Sequence, residues 1–384
     1  MLHPLTDKIT KLPGHYQKSV LKGIDSLLSG VLVSRTVNLN KIKDDLPNIL
    51  KDNKLKPESY YKKLLRCVET CAPSRIWIDL LCWVVSHIWS KITTLHIDGT
   101  EWNFGSYPIH VLVLTADFQG VAVPIFFRVY RHEGVLSELV RIKFMKKALC
   151  YYDLSGKTLL ADREFIGSLW FKFLNEKGIK FIIRLRKKIY KNKVNDAEIQ
   201  RANELVIDAQ LYEKCTQRAL KKGYAQALIS IDGQVFRIEF WKNKHDTESV
   251  KDPIIFLITN ILDKNRVGKK YQQRWKIEHC FKQLKSNGFE IEDIGFKKIH
   301  KIQFMIVIVI VLYILAVCKG LICDKKNKLK SKFKAYKSGL VGRAVSIFRQ
   351  GLFELKSSIA NVYQMRTFLT TLKTKKNTIF KSVQ

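Results

Sequence analysis

The sequence predicts an α/β fold in which helices pack against a mixed β-sheet. Three β-rich runs come first, over 95–97, 109–115 and 121–130, and a turn-like segment at Asp117–Gly120 joins the last two. A helical pattern, a short strand, a second helical pattern and another strand then follow over 137–185. Strands followed by alternating helices and strands are typical of an α/β domain with a mixed sheet.

The changing pattern of apolar, polar and turn residues divides the chain into three regions. Residues 1–90 predict a small helical domain, because helical runs alternate with Pro and Gly breaks. Residues 91–323 predict the α/β domain, which a polar and then β-like stretch interrupts at 187–253. We interpret that stretch as an inserted β-rich subdomain. Residues 324–384 are Lys-rich and are expected to be partly helical.

The composition predicts a folded protein with a polyanionic partner. The 384 residues include 68 Lys and Arg against 34 Asp and Glu, which gives a formal net charge of +34. Hydrophobic residues make up 46% of the chain, which excludes global disorder. Because positive charge occurs in every third of the chain, nucleic acid is the leading partner, ahead of an anionic membrane surface.

The eight cysteines favour a reducing compartment and therefore the cytoplasm. They are scattered, without a C-x-x-C pair or a nearby pair of histidines, which argues against a zinc ribbon and against a disulfide scaffold. The first residues lack the apolar core of a secretory signal, so no export is expected.

One apolar segment allows two interpretations. Ile302–Cys318 is apolar at every position except Gln303 and has Lys298, Lys301 and Lys319 at its ends. A membrane span needs about 18 or more apolar residues, and this run is just shorter. We favour a buried core helix. The alternative is a basic membrane-associated protein.

Two aspartates follow predicted strands. Asp98 comes after an apolar run, and Asp162 follows a second one. The carboxyl ends of strands form the sheet edge at which α/β active sites occur. A single Asp at such a place is more often a turn or helix N-cap residue, whereas two on separate strands favour a metal site.

Four further residues fall on one face of a helix predicted over about 265–287: Tyr271, Arg274, Glu278 and Lys285. At about 100° per residue they lie within roughly 60° of one another. A surface ion pair between Arg274 and Glu278 is the simpler interpretation. The alternative is a site in which the acid binds a metal ion and the cations bind phosphate.

Asp and Glu carboxylates are the hard oxygen ligands that Mg²⁺ or Mn²⁺ prefers. Two such ions can activate a water or a 3′-hydroxyl and stabilise the leaving oxygen of a phosphodiester. The residues alone therefore favour a metal-dependent enzyme that acts on DNA or RNA.

Three motifs carry a resemblance to a known family: His-Ile-Asp-Gly-Thr-Glu-Trp at 96–102, Leu-Ala-Asp-Arg-Glu-Phe-Ile-Gly at 160–167, and Tyr271-x2-Arg274-x3-Glu278-x6-Lys285. With these motifs, the region from about 91 to 318 resembles a bacterial DDE transposase of the insertion-sequence-four family. The third motif is similar to the Y-R-E-K signature of that family at its full spacing.

The resemblance implies an RNase H-like catalytic core, preceded by the small helical DNA-binding domain. Asp98, Asp162 and Glu278 would be the catalytic residues and the ligands of Mg²⁺ (or Mn²⁺), with two ions expected. Contacts with DNA phosphates are implied for the following residues: Tyr271, Arg274, Lys285 and Arg163.

The resemblance also implies an activity and its partners. The protein would bind terminal inverted repeats of an insertion sequence, cut the DNA strands and transfer them to target DNA by cut-and-paste transposition. It would act on double-stranded DNA as a homodimer in the bacterial cytoplasm, associated with the nucleoid. The alternative within this family is a catalytically silent DNA-binding remnant or regulator.

Three tryptophans near these motifs are interpreted as core or scaffold residues rather than as base-stacking residues: Trp102, Trp170 and Trp275.

Overall fold

The fold is that of a computed structural model, which describes most of the chain with internal gaps. The described residues are 16–50, 55–104, 107–131, 134, 136–185, 209–242, 254–263, 265–326, 333–335, 341–343 and 345–360.

The centre of the fold is one eight-stranded mixed sheet with the strand order β3-β2-β1-β4-β5-β8-β7-β6. Its strands are β1 (Thr94–Phe104), β2 (Tyr107–Phe118), β3 (Val121–Tyr130), β4 (Thr158–Ala161), β5 (Lys180–Arg184), β6 (Tyr224–Ile231), β7 (Gln234–Lys242) and β8 (Ile254–Thr259). β4 pairs in parallel with β1 and β5, and the remaining neighbours are antiparallel. The mixed α/β sheet predicted from the sequence is confirmed.

Helices precede the sheet, connect its strands and follow it. They are α1 (Lys18–Ser34), α2 (Leu39–Leu50), α3 (Pro57–Cys71), α4 (Ile76–Ser86), α5 (Glu138–Leu149), α6 (Ser168–Glu176), α7 (Ala209–Lys222), α8 (Gly268–Tyr271), α9 (Lys276–Leu284), α10 (Ile299–Lys326) and α11 (Ile347–Ala360). A separate two-stranded ribbon is formed by β9 (Phe333–Ala335) and β10 (Val341–Arg343). One continuous hydrophobic core joins the N-terminal helices, the sheet and α10.

The predicted turn between β2 and β3 is a tight hairpin. Gln119 and Gly120 have φ angles of 52° and 87°. Positive φ at both central residues matches the twist of antiparallel strands, and glycine adopts it without steric cost. The Asp117 carboxylate accepts a hydrogen bond from the Gly120 N–H at 2.8 Å.

The predicted β-rich insertion is not a separate sheet. β6 and β7 extend the central sheet, because β7 pairs with β8 from Arg237↔Thr259 to Lys242↔Ile254. This pairing satisfies the backbone groups along the edge of β8 that would otherwise lie open. The parts of the predicted insertion at 187–208 and 243–253 lie outside the described residues.

The apolar segment forms most of α10, a 28-residue helix. Its length and composition would suffice to cross a membrane, and 72% of its most apolar 18-residue window is buried inside the protein. It packs against α4, α11 and β3. The Tyr313 hydroxyl donates a hydrogen bond to the Ala122 carbonyl on β3 at 3.1 Å. This burial supports the core-helix interpretation.

Asp293 joins the N-terminal helices to the region after the sheet. Its carboxylate accepts hydrogen bonds from Thr36 at 3.4 Å, Asn38 at 3.3 Å and Lys41 at 2.9 Å. Partial burial acts to raise the pKa of Asp293, but these three partners outweigh it and the pKa is lowered. The ionised carboxylate is therefore the form that the folded protein stabilises.

We expect Asp293→Asn to lower the melting temperature at neutral pH by no more than a few degrees, because solvent screens the pair with Lys41. A lowered pKa in the folded state contributes stability above about pH 4, the ordinary pKa of aspartate, and loses it as the pH falls through the folded-state value. The difference from wild type should therefore shrink in acid. Thermal unfolding across this pH range measures it, with Asp44→Asn on the exposed face of α2 as control. A pH-independent difference would contradict the assignment.

Candidate active site

Two aspartates lie side by side at one position of the sheet. The parallel pairing of β1 with β4 ends at Ile97↔Ala161, so Asp98 and Asp162 are the next residue on each strand. The prediction that Asp98 ends its strand is wrong, since β1 continues to Phe104. The reason is that β1 has two neighbours, and its pairing with β2 continues after β4 has ended.

The third acid lies on a helical segment of residues 268–289, which we call the site helix. It consists of α8, a 3₁₀ turn (Gln272–Trp275), α9 and a π-helical turn (Lys285–Phe289). The single regular helix predicted over 265–287 is therefore interrupted twice. Tyr271 anchors the start of the site helix in a small apolar cluster with Leu160 of β4 and Leu257 of β8.

Arg274 brings the predicted site residues together. One guanidinium nitrogen is 3.6 Å from a carboxylate oxygen of Asp98, and the other is 2.8 Å from an oxygen of Glu278. Only 6% of the Arg274 side chain is exposed. Asp162 is also close enough to interact electrostatically with this guanidinium. The three acids thus surround one buried cation.

Asp98 is poorly neutralised by that single cation. Burial raises its pKa to about 7, and repulsion from Asp162 and Glu164 acts in the same direction. Attraction to Arg274 and the hydrogen bond from the Gly99 N–H act to lower the pKa. A carboxyl group with so high a pKa lies where further positive charge would stabilise its ionised form.

The donor set suits a hard divalent cation, but the arrangement is not that of a preformed metal cluster. In the described part of the chain, no group of three or more His, Cys, Asp or Glu side chains is placed to hold an ion. The Arg274 guanidinium lies between Asp98 and Glu278 instead. Carboxylate oxygens fit Mg²⁺ or Mn²⁺ chemically. Binding of one ion by both acids requires Arg274 to move.

The remaining predicted site residues differ in how deeply their side chains are buried. Lys285 donates a hydrogen bond to the Glu101 carbonyl of β1 at 2.6 Å, and its ammonium is 3.5 Å from Glu292. Tyr271 is 4% exposed, and burial raises the pKa of its hydroxyl. Arg163 is exposed beside Asp162. Tyr271, Arg274, Glu278 and Lys285 differ in burial, but Arg274 and Lys285 both reach β1, and Arg274 pairs with Glu278.

Trp102 and Trp170 are buried core residues, whereas Trp275 lies outside the core, so of the two roles expected for it only that of a scaffold residue fits. Trp275 is 55% exposed and stacks beneath the Arg274 guanidinium, 5.2 Å from ring to cation. The buried face of α9 begins with Ile277. Two residues correspond to about 200° around a helix, so Trp275 lies on nearly the opposite side.

Sequence reasoning missed the residues that hold the site helix in place. The buried Glu239 of β7 accepts hydrogen bonds from the N–H groups of Val267 and Gly268, each at 3.0 Å. Arg237, two residues earlier, lies 3.9 Å from Glu239 and donates to backbone carbonyls of the loop before the helix. A side chain at Gly268 would approach Trp241 to 2.8 Å, so only glycine fits there. Charged residues on one face of an otherwise apolar strand were the available signal.

A second contact supports the middle of the site helix. Lys276 forms an ion pair with Asp117 at the end of β2. His96, on the same face of β1 as Asp98, lies beneath this pair, and its Nδ1 is 3.0 Å from the Thr115 hydroxyl. Burial lowers the pKa of His96 to about 4, so this ring is neutral at physiological pH. His96 therefore contributes a polar but uncharged side chain to the region beside the ion pair.

Comparison with known proteins supports a DDE transposase. Residues 135–315 match the family model described as a transposase DDE domain. That range contains Asp162 and Glu278 but not Asp98. No curated protein matches the chain.

Among solved structures, the chain is similar to the cryo-EM structure of the piggyBac transposase synaptic complex with hairpin DNA. The identity is 12%, the TM-score is 0.44, and the alignment covers 98% of this chain and 81% of the other. At these values the similarity supports no conclusion about the site.

We expect Glu239→Ala to lower the free energy of unfolding by about 3–5 kcal/mol, because it leaves Arg237 buried without its partner and two N–H groups without an acceptor. Thermal and urea unfolding measure the loss, and hydrogen exchange at 267–271 should rise. Glu176→Ala on the exposed end of α6 removes the same charge and serves as the control. Equal stability of the two variants would contradict the anchoring role.

Proposed function

We propose that the protein is a DNA transposase of the DDE type. The observation that carries the proposal is the convergence of Asp98, Asp162 and Glu278 around Arg274 where two parallel strands end their pairing. The match of residues 135–315 to a transposase DDE domain supports the same activity. Its substrate is double-stranded DNA carrying the terminal inverted repeats of an insertion sequence, together with target DNA.

In this proposal the three acids hold divalent metal ions, which DDE transposase domains generally use. Two bound Mg²⁺ or Mn²⁺ ions would supply activation of the attacking oxygen and stabilisation of the leaving oxygen at a phosphodiester. Asp98 and Asp162 contribute oxygens from the sheet, which is rigid, whereas Glu278 contributes from the site helix. The raised pKa of Asp98 favours this assignment, because added positive charge stabilises the ionised carboxylate.

Arg274 has two partners in succession. Its guanidinium lies between Asp98 and Glu278 and pairs with both. If these acids held a metal ion, the guanidinium would be free to pair with a DNA phosphate, which its planar donor fork suits. Lys285 of the site helix contacts β1 further along, at Glu101, and binds a neighbouring phosphate. Arg163, which is exposed beside Asp162, provides a third cation for the strand.

Tyr271 lies on the buried side of Arg274, and its hydroxyl interacts with that side chain. A direct contact between Tyr271 and a terminal phosphate follows only if the movement of Arg274 uncovers the hydroxyl.

We extend the proposal to a bacterial element of the insertion-sequence-four family. The Y-R-E-K spacing supports this, as does a net charge of +34, which suits binding to DNA in the nucleoid. The proposed reaction is cut-and-paste transposition by a homodimer in the cytoplasm. The RNase H-like description of the core and the DNA-binding role of the N-terminal helices belong to the same proposal.

A second function is favoured by one specific observation. Because Arg274 already pairs with two of the acids, the chain is also compatible with a protein that binds transposon ends without cutting them. Such a remnant or regulator would bind DNA with the same basic surface and would show no response to metal ions.

Strand cleavage distinguishes the two functions. A labelled duplex carrying the flanking inverted repeat is incubated with wild type, Asp98→Ala, Asp162→Ala or Glu278→Ala, in Mg²⁺ or in EDTA. We expect Mg²⁺-dependent nicking at the repeat end by wild type, reduced at least about 10³-fold in each variant, because metal ions supply several kcal/mol of transition-state stabilisation. DNA binding should persist in all three variants.

Glu176→Ala, which removes a carboxylate from the exposed end of α6, should cut like wild type. A variant of the three acids that cuts at the wild-type rate would remove that residue from the metal site. Tight binding without cutting in Mg²⁺ or Mn²⁺ would favour the non-cutting protein.

A further inference from the structure

A groove of about 680 Å³ lies next to the start of β1, on the side of the sheet that carries the site helix. Four cations line it: Lys91, Arg266, Lys269 and Lys270. We call it the basic groove. The groove is distinct from the three acids, none of which lines it, and its nearest lining residue on β1 is Thr94, four residues before Asp98.

The basic groove carries an excess of positive charge. Its one carboxylate, Asp117, is engaged in the ion pair with Lys276. Arg266 and Lys269 are exposed, so both present their charge to solvent. Arg266 is held over the ring of Tyr224 on β6 at 4.6 Å. The extended sheet therefore supports one wall of the groove.

Lys270 gives the groove a fixed, partly buried cation. Its ammonium donates a hydrogen bond to the Thr158 hydroxyl at the start of β4, at 2.8 Å. Thr158 also pairs in register with Lys180 of β5, so two lysines lie near one hydroxyl. Burial and repulsion from Lys180 lower the pKa of Lys270. An anion at this position would relieve that repulsion.

The basic groove and the three acids both lie along the contact between the site helix and β1. The site helix follows β1, with Lys270 near the start of the paired strands, Arg274 at Asp98 and Lys285 at Glu101. Four residues of strand span about 13 Å. One strand of B-DNA carries a phosphate about every 3.4 Å along its axis. Because this spacing is much shorter than the distance between the acids and the groove, a strand whose phosphate lies at the acids also brings neighbouring phosphates of its backbone to the groove.

We propose that the basic groove binds the phosphodiester backbone of the DNA strand beside the phosphate that is cut. The inference rests on the proposed function and deepens it, since it states the path of the strand across the protein. The ligand is the backbone of duplex DNA, and the contact is independent of base sequence, because ammonium and guanidinium groups in the groove face phosphate rather than a base edge.

The test is the salt dependence of DNA binding by the double variant Lys269→Gln/Lys270→Gln. Glutamine at 270 keeps a donor for Thr158, so the fold should be retained, and thermal unfolding checks it. The control is Lys143→Gln/Lys146→Gln, which removes two exposed charges from α5. Dissociation constants are measured by fluorescence anisotropy over a series of NaCl concentrations, with labelled duplexes that carry or lack the inverted repeat.

Each phosphate contact contributes about 0.9 to the slope of log affinity against log salt. We expect the groove variant to reduce the magnitude of the slope by about 1.8, equally on both duplexes, and the control to leave it unchanged. A slope equal to that of the control would overturn the inference, as would a reduction confined to one duplex.

The cleavage assay separates failure of the inference from failure of the proposed function. If wild type cuts DNA and the slope is unchanged, the groove assignment alone is wrong. If wild type binds DNA without cutting and the slope falls as expected, the groove assignment stands and the enzymatic function is wrong. Absence of DNA binding by wild type would overturn both.

Discussion

The geometry of the site depends on the buried carboxylate of Glu239, which fixes where the site helix starts. It accepts the N–H groups of Val267 and Gly268, and Arg237 holds the loop that precedes them. Arg274 and Glu278 follow at set distances along the helix. An error of one residue at this start would rotate the helix by about 100° and would point Glu278 away from the aspartates.

Positive and negative charges are distributed unevenly over the molecule, and this affects how a polyanion can approach the three acids. The chain is strongly basic, yet the end of the β1–β4 pairing gathers three acids around a single guanidinium. The basic surroundings attract a polyanion, whereas the acids repel it. The divalent cations proposed for this site would reconcile the two, because they would reverse the local sign of the charge where a phosphate is proposed to approach.

Local features of this fold were readable from the sequence. The β2–β3 hairpin, the short strand before Asp162 and the helix with Glu278 follow from apolar runs, turn residues and spacing. The resemblance to transposases supplied the grouping of the three acids, which no periodicity could give.

Features that depend on contacts between residues far apart in the sequence could not be predicted from it. The continuation of β1 beyond Asp98 depends on β2, and the joining of β7 to the main sheet depends on β8. The position of the site helix depends on its anchors at Glu239 and Asp117. The exposure of Trp275 was not expected either, since a large aromatic residue is ordinarily buried.

The strand order has a consequence for how the protein is made. β5 receives its second neighbour, β8, only after the intervening segment has been synthesised, and Glu278 emerges later still. At about 5–20 residues per second, roughly 10–40 s separate Asp98 from Glu278 on the ribosome. A nascent chain therefore holds its aspartates for some time without the helix that completes the set. Any activity that needs all three acids begins only after Glu278 has been synthesised and the site helix has folded against β1.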